Sequence, residues 1–183
     1  MNETHPFAVQ MTEHAQILSL LGEAQGFWRE HSVVDFEQKF QSFVNLLFAH
    51  HEAELQVLFQ PMEHQPRLKE GGPMCSYFFD TRMNLSPINM VEAFVRKCGQ
   101  AQYKVLVPNN LMSYFQDNSP LWIPLEEHVA IHAIATFVRD HFKEIPPKKV
   151  AEALDMLQSF CSQNFRKEDS CLFEFAKQVL HPR

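Results

Sequence analysis

The sequence predicts an all-α fold, an antiparallel up-down-up-down four-helix bundle, and three observations carry that expectation. Four long stretches repeat apolar residues at intervals of three and four, the spacing of a helix with one buried face. Only 5 of the 183 residues are Gly, too few for a turn-rich β fold. The breaks between the first and second stretches, and between the third and fourth, are short, which makes each pair antiparallel. The length suits one domain with its own core. With 17 Phe against 2 Trp and 3 Tyr, that core is built largely from phenylalanine.

The first helix is expected from Pro6 to Arg29, with Pro6 suited to an early helical position. Its apolar line is Phe7, Met11, Ile17, Leu18, Leu21 and Trp28, and His14 lies within it. Gly26 and the run His31 to Val34 mark a turn, after which Asp35 is expected to cap the second helix. That helix runs from Phe36 to Pro61, where proline should stop it, with the stripe Phe36, Phe40, Phe43, Leu47, Val57 and Leu58. The third helix is expected from Pro124 to Phe142 on Leu125, Ile131, Ala135, Val138 and Phe142. After Pro146 and Pro147 the fourth runs from Lys148 to Val179 on Val150, Leu154, Leu157, Cys161, Leu172 and Phe175.

Between the second and third helices lies an insertion, residues 62–122, punctuated by Pro66, Gly71, Gly72, Pro73, Pro87 and Pro108. Within it Pro87 to Cys98 reads as a short amphipathic helix ending at Gly99. Gln100 to Val107 fits helix or extended chain, and Asn110 to Phe115 one or two helical turns. A structureless loop of such length is uncommon, so the insertion should pack against the body, where it offers a surface for a protein partner.

A formal charge of −6 with no basic run argues against nucleic acid as a partner. No apolar segment reaches membrane-spanning length, and the first ten residues lack a basic-then-apolar leader pattern, so the chain reads as cytoplasmic. Its four cysteines, Cys75, Cys98, Cys161 and Cys171, show no CxxC spacing and read as reduced thiols.

Each stripe is interrupted by residues that bind metals. They are His14 on the first helix, His50 and Glu54 on the second, His128 and His132 on the third, and Asn164, Glu168 and Asp169 on the fourth. A spacing of four puts two side chains on one face a turn apart, close enough to share an ion. A carboxylate in an apolar core costs several kcal/mol unless it is paired, protonated or bound to a metal. Taken singly, each has a plainer explanation, such as a histidine bonded to backbone or a His–carboxylate hydrogen bond; four helices sharing the pattern point to a metal site in the bundle interior. Imidazole with carboxylate and no thiolate cluster suits iron, with manganese, zinc or copper as other fits. His51 lies off the stripe and is assigned, with His5, His31, His64, His141 and His181, to solvent or to the surroundings of the ligands.

The runs Glu13-His14-Ala15-Gln16-Ile17, His50-x-x-x-Glu54, Glu127-His128-x-x-x-His132 and Lys167-Glu168-Asp169 resemble the hemerythrin-like, or HHE cation-binding, domains. The resemblance covers the four long helices in order and not the insertion. It implies a non-haem di-iron centre in which His14, His50, His128 and His132 are ligands and Glu54 is a bridge. The second bridge is then Asp169 or Glu168, depending on which branch of the family is followed. The chain departs from the pattern at Asn164, where the family places histidine. Three outcomes follow: an open coordination position near His128 and His132, a substitute from the insertion (His64, Cys75, Tyr77 or Asp80), or a changed metal complement. The resemblance therefore implies a protein that binds O2 or a related small molecule for sensing, storage or transport. An oxidase or oxygenase acting on an organic substrate, and a metal-poor interaction module, are the alternatives.

Overall fold

A computed structural model describes residues 5–65, 86–116, 119 and 121–180. The fold is all-α among the described residues. Helix α1 (Ala8–Arg29), α2 (Val33–Glu54), α5 (Trp122–His141) and α6 (Pro147–Lys167) are the long elements; α3 (Pro87–Lys97), α4 (Met112–Gln116) and α7 (Phe173–Leu180) are shorter. Each long helix packs on two others, α1 on α2 and α6, and α5 on α2 and α6. At one end Trp28 meets Phe36 and Phe142, and its indole N–H donates to the carbonyl of Pro147 (3.3 Å). Those residues belong to the end of α1, the start of α2, the end of α5 and the start of α6, so neighbours run antiparallel.

The second helix begins two residues earlier than its sequence suggests. Ser32 precedes it, and Asp35 sits in the first turn, where its charge faces the positive end of the helix dipole. Pro61 does not stop it either. After Glu54 the chain makes a π turn over Leu55–Phe59 and continues helically through Gln60–Glu63. Pro61 then stands in the first turn of that last segment, where a missing N–H costs little. The π turn adds a residue to the coil, which carries Val57 outward (45% exposed) and buries Phe59 in its place. Helix α6 does the same: Glu168–Leu172 form a π turn that leads into α7. Met11, expected on the α1 stripe, is exposed.

Helix α3 matches its sequence signal. Ser86 accepts from the Asn89 N–H at its start, and Gly99 follows its end with φ of 104°, a conformation that favours glycine. Val91, Phe94 and Val95 bury its apolar face, and α3 packs on α5. Residues 103–108 are irregular, pinned by the Glu92 carboxylate, which accepts from the Val105 N–H (3.0 Å) and Lys104 Nζ (3.1 Å). Cys98 and Cys161 are free, whereas Cys171 is disulfide-bonded, contrary to the expectation of four reduced thiols. Spacing along the chain carries no signal for a bridge whose ends meet only in the fold.

The apolar core falls into two clusters. One gathers Ile17, Leu21, Phe36, Phe40, Phe43, Leu47, Ile131, Leu157 and Phe165; the other gathers Phe7, Leu55, Leu58, Phe59, Leu125, Leu172 and Phe173. On each of the four long helices the metal-type residues lie where one cluster gives way to the other. No described helix is long and apolar enough to cross a membrane.

Candidate metal centre

The polar layer between the clusters is built around two carboxylates. Glu54 and Glu168 are fully buried, each at the junction of an α helix with its π turn. Glu54 Oε1 lies 3.3 Å from His50 Nε2 and 3.6 Å from His14 Nε2, while its Oε2 lies 3.6 Å from His128 Nε2. Glu168 spans the same gap: Oε2 is 3.4 Å from His14 Nε2, and Oε1 is 2.9 Å from His128 Nε2. Each carboxylate thus turns one oxygen to one histidine set and the other oxygen to the opposite set.

Two groups of ligand atoms result, each gathered within 4.8 Å: His14, His50, Glu54 and Glu168, and His51, Glu54 and His128. In the second group the His51 and His128 rings stack face to face, 3.7 Å apart and 2° from parallel. Several buried atoms here have no hydrogen-bond partner: Nε2 of His14, His50 and His51, both oxygens of Glu54, and Oε2 of Glu168. Buried polar groups are rarely left so. All of them belong to the two groups, so a cation at each would satisfy them, and the donor set fits a metal ion.

The far sides of the rings are held. His14 Nδ1 donates to Asp169 Oδ1 (2.9 Å) and His50 Nδ1 to Glu13 Oε2 (2.9 Å), the arrangement that leaves Nε2 bare for a metal. His51 Nδ1 bonds His132 Nε2 (2.9 Å). Phe165 stacks on His14 at 4.1 Å and Phe48 on His132 at 4.0 Å, fixing both planes.

Of the sequence candidates, then, His14, His50, Glu54, His128 and Glu168 come together. Asp169 lies outside, against His14 Nδ1, and His132 stands behind His51. Asn164 does not face an ion as a histidine would; its amide donates to Glu168 Oε1 (3.0 Å) and Glu127 Oε2 (3.3 Å). Glu127 is also paired with Lys167, a lysine with 1% exposure. His64 is exposed, and Cys75, Tyr77, Asp80 and His181 lie outside the described residues. His51 was assigned to the surroundings, yet it is buried in the second group. A signal for it existed: Val44, Phe48, His51, Leu55 and Leu58 form a second run at four-three spacing, adjacent to the first.

Without a cation the histidines carry protons. Burial pulls the His14 pKa down, but the Glu168 and Glu54 carboxylates outweigh it and raise it to about 10; His50 is raised the same way by Glu54 and Glu13. Burial would lift Glu168, but His128 and His14 hold it down to about 2. His51 is pushed well down by burial and the neighbouring histidines, and His132 to about 3. A folded pKa above the free value of 6.5 gives stability that is complete below 6.5 and lost as pH rises through 10. Glu168 contributes above 4.5 and ceases to as pH falls through 2. Metal-free protein should therefore lose stability between pH 6.5 and 10, by up to about 1.4 kcal/mol per unit for each raised histidine. Zinc-loaded protein, whose protons have been displaced, should not. Thermal melts with and without chelator across that range check this.

No family model matches the chain, and no curated protein or solved structure matches it either. The likeness to hemerythrin-like domains rests on the quoted residues alone, and the helical fold with its buried His/Glu groups is consistent with it.

Proposed function

We propose that the chain is a hemerythrin-like up-down-up-down four-helix bundle that holds two non-haem metal ions, iron foremost, and binds O2 or a related small molecule beside them. The observation that carries this reading is the set of orphaned buried nitrogens and oxygens, all turned into one layer. His14 and His50 would hold one ion and His51 and His128 the other, with Glu54 and Glu168 between them. Iron would supply the redox and O2 chemistry that these side chains lack; manganese or zinc fits the same donors. Asp169, Glu13 and His132 keep each ligand ring in the tautomer that leaves Nε2 free. Lys167 and Asn164 hold the Glu127 and Glu168 carboxylates in place.

In this reading His51 takes up the role left by the histidine missing at position 164. The substitute comes from α2, not from the insertion. A second reading, an oxidase or oxygenase acting on an organic molecule, is favoured by a cavity that reaches His51, His128 and His132. Elemental analysis of freshly purified, iron-grown protein tests the centre: about two equivalents are expected, and less than about half an equivalent of any transition metal would leave only an interaction module. Absorption spectra with and without O2 then separate the two readings. A lasting spectral change supports a carrier or sensor; steady O2 consumption without one supports the enzyme.

A further inference from the structure

Beside the second ligand group lies a cavity of about 550 Å3, bounded by α2, α5 and the irregular segment that follows α3. This is within the range of pockets that enclose small organic ligands. His51, His128 and His132 line it together with apolar side chains such as Leu55, Val105, Leu125 and Val129. The charges on its lining are already engaged: Lys104 is 70% exposed and paired with Glu92 (3.1 Å), and Glu52 accepts from Gln56 Nε2 (2.9 Å). Nothing in the lining is left to neutralise a charged guest.

One polar group in the cavity wall is only half used. His132 bonds His51 through Nε2, and its Nδ1 has no partner among the described residues. If His51 Nε2 faces an ion as a bare nitrogen, His51 Nδ1 carries the proton and donates it to His132 Nε2. The remaining proton of the neutral His132 then sits on Nδ1, which becomes a donor.

We propose that this cavity binds an uncharged, largely apolar small molecule whose single acceptor oxygen, a carbonyl, takes the His132 Nδ1 proton. The cavity itself does not need the ions; the placement of the His132 proton rests on the metal-centre reading above. A guest bound there touches the same ring that orients His51, so its arrival is felt at the second ligand group.

Calorimetric titration of zinc-loaded protein with three probes tests this: propiophenone, propylbenzene and 3-phenylpropionate. Propiophenone is expected to bind about tenfold tighter than propylbenzene, the difference of one hydrogen bond, and the anion weakest. Ala133→Phe, on the cavity wall, should abolish binding of all three while keeping the zinc content of the parent. In cobalt-loaded protein propiophenone should shift the visible bands, and propylbenzene much less. Tightest binding of the anion overturns the proposal, as does equal binding of ketone and hydrocarbon, or binding that survives Ala133→Phe. Failure of every probe in protein that holds two zinc equivalents sinks the cavity alone. Saturable binding by protein that takes up no zinc sinks the metal centre and leaves the cavity standing.

Discussion

Glu54→Ala protein is expected to lose both ions together, because the two oxygens of that carboxylate face different histidine sets. His50→Ala should remove only the ion shared with His14. An ion bound to the folded state alone adds about 3–4 kcal/mol when present at 100 to 1,000 times its dissociation constant. For a chain of this size that corresponds to a melting-temperature gap of roughly 10 °C between parent and Glu54→Ala in the presence of metal. Under chelation the gap should close, since the substitution then deletes a buried carboxylate whose oxygens have no hydrogen-bond partner. Elemental analysis and calorimetry with and without chelator measure both quantities. A gap that persists unchanged without metal would mean that Glu54 serves packing, and retention of both equivalents would remove it from the centre.

His51→Ala should reduce the metal content by half, to about one equivalent, and leave the His14 and His50 side loaded. Asn164 stands one turn before Glu168, as His50 stands one turn before Glu54, and its amide already reaches Glu168 Oε1. Asn164→His in the His51→Ala background is therefore expected to restore the second equivalent from the opposite helix. This pair of variants isolates the substitution of one histidine for another. If His51→Ala keeps two equivalents, the second group is held by other atoms and the role assigned to His51 is wrong. If the double variant stays at one, position 164 cannot present a ring to that ion.

Much of the architecture was legible because amphipathic periodicity reports directly on burial. The starts of the four long helices fall within three residues of those the sequence suggests, and Gly99 ends α3 as expected. The errors cluster where a local rule was overridden. Val57 was placed inside and Phe59 was not, because a π turn changes the count of residues per turn, and nothing in the residue types announces one. His51 was passed over because one stripe was assumed where α2 presents two. The Lys167–Glu127 pair gave no warning, since a charged side chain on a mostly polar helix is ordinarily solvated. Side-chain identity showed which residues could bind a cation; only the packing of α2 against α5 showed which rings meet.

The two π turns bear on how the chain can change length. Each begins at or directly after a central carboxylate, and each sets the helical phase of everything beyond it. Deleting one residue between Glu168 and Phe173 would turn the trailing segment through about 100°, swapping Phe173 and Phe175 for polar neighbours at the contact with the end of α2. The carboxylates and the far apolar cluster are therefore geared to one another. Insertions and deletions are barred from both π segments, while the loops between helices remain free to vary.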